Sequence, residues 1–381
     1  MDGANSMAKP SHILAIYDGE GGIQTHVATL YDELRKRGFI VLVFSTPDLR
    51  TERTRIESAV SVPMGLMGSL FTAIRLIEEI RKVRVDLVHV HTPRVPLLLG
   101  YLLHRICKVP LIVTIHERDS LALKVNRLFK RATKIIAISH EVKSRMVELG
   151  VDEKKLVVIP NMIDTNEFSP EEDANAPYRL EASSQRAFTI VCLGRADSSK
   201  VQTIETAMKS MPEVIKMFPK AKLLIAGGGP SLCDLTKAAQ RINGRIGKDA
   251  ILVLGQVPSA VALLRRADVV IGIGRVALEA MATGKPVIAV SGQAGQLVRG
   301  DIVSQETATA LAEYNFSGRN YGKRLDSTGM LELIARLLEN EDYRKQIGSW
   351  GRLFVKLNFD SATIAKLTES VYSESLRSGN S

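Results

Sequence analysis

The sequence predicts an α/β protein of two doubly wound domains, each a largely parallel sheet wrapped by helices. Short β-branched runs alternate with helical patterns along nearly all of the 381 residues. The alternation breaks once, at acidic and Pro/Ser-containing stretches spanning 169–178 and 182–186, and then restarts. At roughly 150 residues per domain the length suits two domains, each with its own core.

In the first half, strands are expected at 13–17, 40–44, 87–91, 111–115, 134–138 and 156–159. A helix over 25–37 is the clearest of those between them, and Gly38 ends it by supplying a left-handed C′ residue. In the second half, strands are expected at 188–193, 222–226, 251–254, 269–271 and 287–290. Helices are expected at 201–211, from about 231 and over 276–283, and the chain from Gly329 onward reads as mainly helical. The domain boundaries fall at 1–168 and 188–358, with a linker over 169–187 and a last helix over 359–381.

Composition narrows the function classes. With 45% hydrophobic and 24% charged residues, disorder and fibrous architectures are excluded. The apolar run at 95–103 is about half the ~20 residues that a spanning helix needs. Residues 1–10 have no basic-then-apolar order, so they do not read as a secretory signal. Cys107, Cys192 and Cys233 are odd in number and far apart, which fits reduced thiols and a cytoplasmic protein. The net charge of +10 calls for an anionic partner. Nucleic acid is disfavoured, because only 5% of residues are aromatic and no zinc-finger or aromatic RNA-binding motif occurs.

Three loops after strands carry the chemistry. The turn at 18–26 holds Gly19, Gly21 and Gly22 between a strand and a helix, where backbone N–H groups can approach an anion. Gln24 stands where the dinucleotide fingerprint requires a third glycine, so nicotinamide binding is disfavoured; a tight turn without ligand is the alternative. At 194–200, Gly194 precedes Arg195 and Lys200, a basic pair placed to converge on a diphosphate or simply to face solvent. At 271–279, a strand runs into Gly272 and Gly274, and a helix opens at Arg275 and Val276. Those N–H groups with Arg275 suit a phosphate, and Glu279 one turn on can accept two hydroxyls of a ribose or serve as a solvated helix residue.

These pieces, in their order and spacing, resemble a family 4 glycosyltransferase with the GT-B architecture of two Rossmann-like domains facing each other across a cleft. The likeness extends from Ile13 to about Tyr372. It rests on Gly21, Gly22 and His26, on the runs 86–91 and 114–116, on 159–164 with Phe168, on Gly194, Arg195 and Lys200, on 226–230, and on 278–286. The resemblance implies transfer of a sugar from a nucleotide sugar, a UDP-sugar by preference, with retention of configuration. The nucleotide would bind the second domain and a glycan or lipid-linked acceptor the first, and the last helix, 359–381, would cross back to the first domain. It implies that Arg195 and Lys200 hold the donor diphosphate and stabilise its departure, that Glu279 binds the ribose, and that Gly22 closes over the phosphates. His116 would lie near the reacting sugar, with Asn161 as an added polar contact.

Ile271 stands where the first glutamate of the family's E-x7-E motif belongs, eight residues before Glu279. An aliphatic side chain cannot accept a hydrogen bond, so either the sugar is held differently, with Arg275 in the altered loop, or activity is reduced. A non-catalytic GT-B nucleotide-binding or regulatory subunit is therefore the rival reading. No Asp-x-Asp occurs, so neither metal nor other cofactor is expected. His89 and His91 share a strand face without a third ligand apparent in the sequence. Lys124, Arg127, Arg131 and Lys134 recur at helical spacing as one basic stripe, and an apolar run lies upstream at 64–71. The stripe suits an anionic membrane surface at the inner face, and a solvated helix face is its plainer explanation.

Overall fold

The computed structural model describes residues 12–18, 21–46, 59–61, 77–78, 82, 85–92, 95–118, 127–171, 187–198, 200–257, 259–292, 297–321 and 324–379. They form two compact units, the first ending at Met162 and recovering the chain from Ser361, the second running from Ile163 to Asp360.

The first unit holds β1 (His12–Asp18), β2 (Ile40–Thr46), β3 (Ala59–Ser61), β4 (Leu87–Val90), β5 (Leu111–Ile115), β6 (Lys134–Ala137) and β7 (Leu156–Val158). They pair in parallel in the order β3-β2-β1-β4-β5-β6-β7. Its helices are α1 (Gly22–Lys36), α2 (Val95–Cys107), α3 (His140–Glu148) and, from the far end of the chain, α11 (Ser361–Gly379). Strand alternation sends Leu14, Ile16, Val88, Val90 and Val113 to one face, against Leu97, Leu99 and Leu103 of α2. It sends Ile13, Ala15, Leu87 and Ile112 to the other, against Val27, Leu30 and Tyr31 of α1 and Ile364 and Tyr372 of α11. Arg37 ties α11 down by donating to the Ala362 carbonyl at 2.6 Å.

The second unit holds β8 (Thr189–Leu193), β9 (Lys222–Ala226), β10 (Ile251–Gly255), β11 (Val269–Gly272), β12 (Val287–Ser291) and β13 (Arg299–Ile302), in the order β10-β9-β8-β11-β12-β13. Only β13 runs antiparallel. The helices are α4 (Val201–Met217), α5 (Leu232–Ile246), α6 (Ala260–Arg266), α7 (Arg275–Ala282), α8 (Ala308–Glu313), α9 (Ser327–Glu339) and α10 (Glu341–Asn358). Their ends follow local chemistry. Asp326 caps α9 by accepting from the Thr328 and Gly329 amides at 3.0 Å, Asn340 caps α10 through Tyr343, and Gly247 closes α5 in the left-handed region.

The structure departs from expectation in several places. The helix expected over 201–211 continues through Pro212 to Met217, because Val214 and Ile215 bury on the same face as Met208 and Met211. The edge strands β3 and β13 have no clear signal in the sequence; three residues carry no period, and Arg299–Ile302 is half polar. Residues 163–169 pack on the second unit: Ile163 donates to the Phe359 carbonyl, Thr165 to Asp360, and Arg265 to the Ser169 carbonyl at 2.8 Å. The helix behind the basic stripe is a short 3-10 turn, Arg127–Arg131, and Lys134 opens β6. There Lys134 pairs with Glu374 at 2.6 Å, which takes it out of any continuous basic face. Arg131 is exposed; Lys124, the 64–71 run and residues 172–186 of the expected linker lie outside the described residues, as does the side chain of Arg127. Among the described residues no helix is long and apolar enough to cross a membrane.

Candidate functional site

In each unit the strand order reverses once, between β1 and β4 and between β8 and β11. Successive connections leave such a point in opposite directions, which opens a crevice at the carboxyl ends of the two strands. Most of the residues singled out in the sequence lie at these two points.

In the second unit, β8 delivers Gly194. A methyl built there would stand 3.3 Å from Lys200 Nζ, so the lysine folds back over the end of its own strand. Cys192 beneath registers both influences: burial pushes its thiol up to about 12, and the Lys200 charge opposes that rise. Arg195 leans outward, 61% exposed, with Nε 3.6 Å from an Asp197 carboxylate oxygen. The adjacent strand β11 ends in Gly272, whose missing side chain makes room for Val276, and Gly274 precedes α7 at φ 57°. A β-branched or bulky residue could not hold that angle without strain. Arg275 and Glu279 form an ion pair at 2.7 Å, with side chains only 11% and 10% exposed. Glu279 is thus a buried, charge-paired group rather than a solvated helix residue, and Arg275 does not project freely into the loop.

Ile271 is fully buried, paired with Cys192 across β8 and Ile288 across β12, and it packs in the core beneath the sheet. A carboxylate at that position would enter an apolar cluster, so the isoleucine keeps the core intact.

In the first unit, Gly21 takes φ 75° as the residue capping α1. Gly21 and Gly22 are both exposed, and a side-chain carbon added to either would meet nothing within 4 Å. The helix starts at Gly22, three residues earlier than its periodicity suggests, which brings His26 into its second turn facing the sheet. His26 is 5% exposed and His91, directly after β4, is fully buried; His116 follows β5 with an edge open to solvent. The ring centroids of His26 and His116 lie 4.8 Å apart, and His116 Nε2 is 3.5 Å from His91 Nδ1. The other nitrogen of His91 meets the Tyr31 hydroxyl at 3.0 Å. His89 is held between the hydroxyls of Tyr372 on α11 and Thr114 on β5, each at 2.7 Å. His91 therefore has imidazole neighbours in His89, two residues back, and in His26 and His116, on elements distant in sequence. Asn161 is buried beyond β7, at the opposite edge of the sheet from β3 and two strands away from β5.

Burial keeps these imidazoles neutral. His89 is lowered to about 3, chiefly by desolvation and then by the nearby His116; His116 is lowered to about 4 by desolvation, and His91 is also well below its usual value. The unfolded chain takes up protons on these rings below about pH 6.5 while the folded chain resists until near 3–4, so stability falls as the pH falls across that window. At pH 5 His89 alone is expected to cost about 2 kcal/mol. The melting temperature should drop steeply between pH 6.5 and 4, and His89→Gln should flatten that slope; an unchanged slope would refute the assignment.

Two largely parallel, doubly wound sheets, each with loops gathered at its switch point, define a GT-B glycosyltransferase fold. Residues 20–167 match the family model described as Glycosyltransferase Family 4, and residues 187–315 match Glycosyl transferases group 1. The chain thus carries two glycosyltransferase domains, one in each half. The Phosphatidyl-myo-inositol mannosyltransferase of Mycobacterium tuberculosis (strain CDC 1551 / Oshkosh) is 29% identical over 301 residues, 72% of this chain and 75% of the relative. The Alpha-monoglucosyldiacylglycerol synthase of Streptococcus pneumoniae is 29% identical over 304 residues, covering 70% and 67%. The crystal structure of Anabaena Alr3699/HepE in complex with UDP and glucose aligns with a TM-score of 0.72 at 20% identity, covering 96% of this chain and 100% of that one.

Proposed function

We propose that this chain moves a hexosyl group from a nucleotide sugar, a UDP-sugar by first choice, to a glycan or lipid-linked acceptor, with retention of configuration and without a metal ion. The observation that carries the donor reading is the adjacency of β8 and β11 at the switch point. Their loops bring Lys200, Arg195 and the start of α7 to one end of one sheet. A departing diphosphate needs preorganised positive groups, and these supply them. In the reaction the bond from the anomeric carbon to the diphosphate breaks and the acceptor oxygen bonds to that carbon on the same face. The acceptor proton passes to the leaving phosphate oxygen. Glu279, released from Arg275 or sharing it, would accept the ribose hydroxyls. In the first unit, His116 and the Gly21–Gly22 backbone are the candidate substrate contacts. The lipids in the names of two relatives, phosphatidyl-myo-inositol and monoglucosyldiacylglycerol, support a lipid-linked acceptor, and a peripheral place at the inner face of a membrane goes with it.

The rival reading, a non-catalytic nucleotide-binding subunit, draws on Ile271 and on the occupied Glu279 carboxylate. One experiment separates them: thermal stabilisation by UDP, GDP, ADP and their sugars, with and without magnesium, followed by product analysis with anionic lipid vesicles. A nucleotide at 100 times its dissociation constant should add about 2.7 kcal/mol. Stabilisation by one diphosphate independent of magnesium, with sugar transfer, is expected. Stabilisation without any transfer favours the non-catalytic subunit, and no stabilisation by any nucleotide overturns the donor assignment.

A further inference from the structure

Three imidazoles from three separate elements meet at the switch point of the first sheet. Each of His26, His91 and His116 offers one ring nitrogen, and these atoms all lie within 4.8 Å of one another. A tetrahedral zinc site with bonds of about 2.0 Å sets its ligand nitrogens about 3.3 Å apart. His91 Nδ1 and His116 Nε2, at 3.5 Å, already stand at that spacing, and small ring rotations bring in His26. The outer shell is built as well. Tyr31 holds the far nitrogen of His91 at 3.0 Å and so fixes which nitrogen faces the other rings. His89 cannot compete as a ligand, since Tyr372 and Thr114 engage both its nitrogens. His116 is the most exposed of the three and marks the side from which an ion would enter.

We infer that His26, His91 and His116 form a binding site for a first-row transition ion of the zinc class. Three neutral nitrogen donors without a carboxylate select Zn2+, Co2+, Ni2+ or Cu2+ over Mg2+ and Ca2+. An ion held there ties up His116, so it inhibits transfer rather than assisting it; this inhibitory arm rests on the role proposed for His116, whereas the binding arm does not.

The test titrates Co2+ and then Zn2+ into the full chain. One Co2+ per chain is expected, with the intense visible bands of four-coordinate cobalt, displaced by equimolar Zn2+. His116→Asn and His26→Asn should each weaken binding by about 100-fold or more, and Tyr31→Phe by about 10–100-fold. A far-ultraviolet circular dichroism spectrum and a cooperative melt matching those of the parent chain check that each variant is folded. Six-coordinate cobalt spectra, or binding unchanged in both histidine variants, would mean capture by a surface histidine such as His140 and would overturn the site. Correct binding with undiminished transfer would leave the metal site standing and remove His116 from the reaction.

Discussion

Lys200→Ala should lower turnover more than tenfold while the second unit keeps its fold. The lysine occupies the residue before α4, and its side chain packs over Gly194 at the carboxyl end of β8. Its charge is not consumed by a burial requirement of the core, so removal leaves packing nearly unchanged. On the proposed reaction what is lost is a cation that stabilises the leaving diphosphate, and tenfold corresponds to about 1.4 kcal/mol of transition-state stabilisation. Steady-state kinetics with the donor identified by thermal shift provide the measurement. Lys200→Arg should recover part of the loss, because charge returns with an altered reach. Near-wild-type turnover in Lys200→Ala would remove Lys200 from the site.

Gly227→Ala should be among the most damaging single substitutions in the chain. The methyl would overlap the carbonyl oxygen of Gly194, which is backbone and cannot rotate away, and φ at Gly227 is +134°. Strain in such a backbone region costs about 1–3 kcal/mol, and overpacking adds about 1–3 kcal/mol. Relief requires displacing the Gly194–Lys200 loop, so nucleotide-induced stabilisation should vanish along with several degrees of melting temperature. The neighbouring Gly228→Ala is the control. Its nearest atoms, on Gln256, stand 3.9 Å away, and a near-neutral effect is expected. Equal melting temperatures for the two variants would show that the loop yields more freely than its packing indicates.

The second unit's loops were legible because they follow directly on apolar strands: Gly194 and Gly272 each end a buried run, and strand order alone then makes them neighbours. The histidine cluster was less legible. His26 reads as one polar residue in an amphipathic helix and His91 as the end of a strand; only sheet closure with α1 laid on one face brings them to His116. Tyr372 is harder still, since it reaches His89 from a helix 283 positions on in the chain.

What the sequence determined by itself is the two-domain α/β plan, the positions of most strands and the glycine turns that open the helices. Those follow from hydrophobic period and from local backbone limits, which act over a few residues. Tertiary structure alone decided that Glu279 is sealed in an ion pair and that Ile271 points into the core. Each depends on which surfaces meet across long stretches of chain, where the favourable term is burial summed over many partners and no local pattern records the outcome.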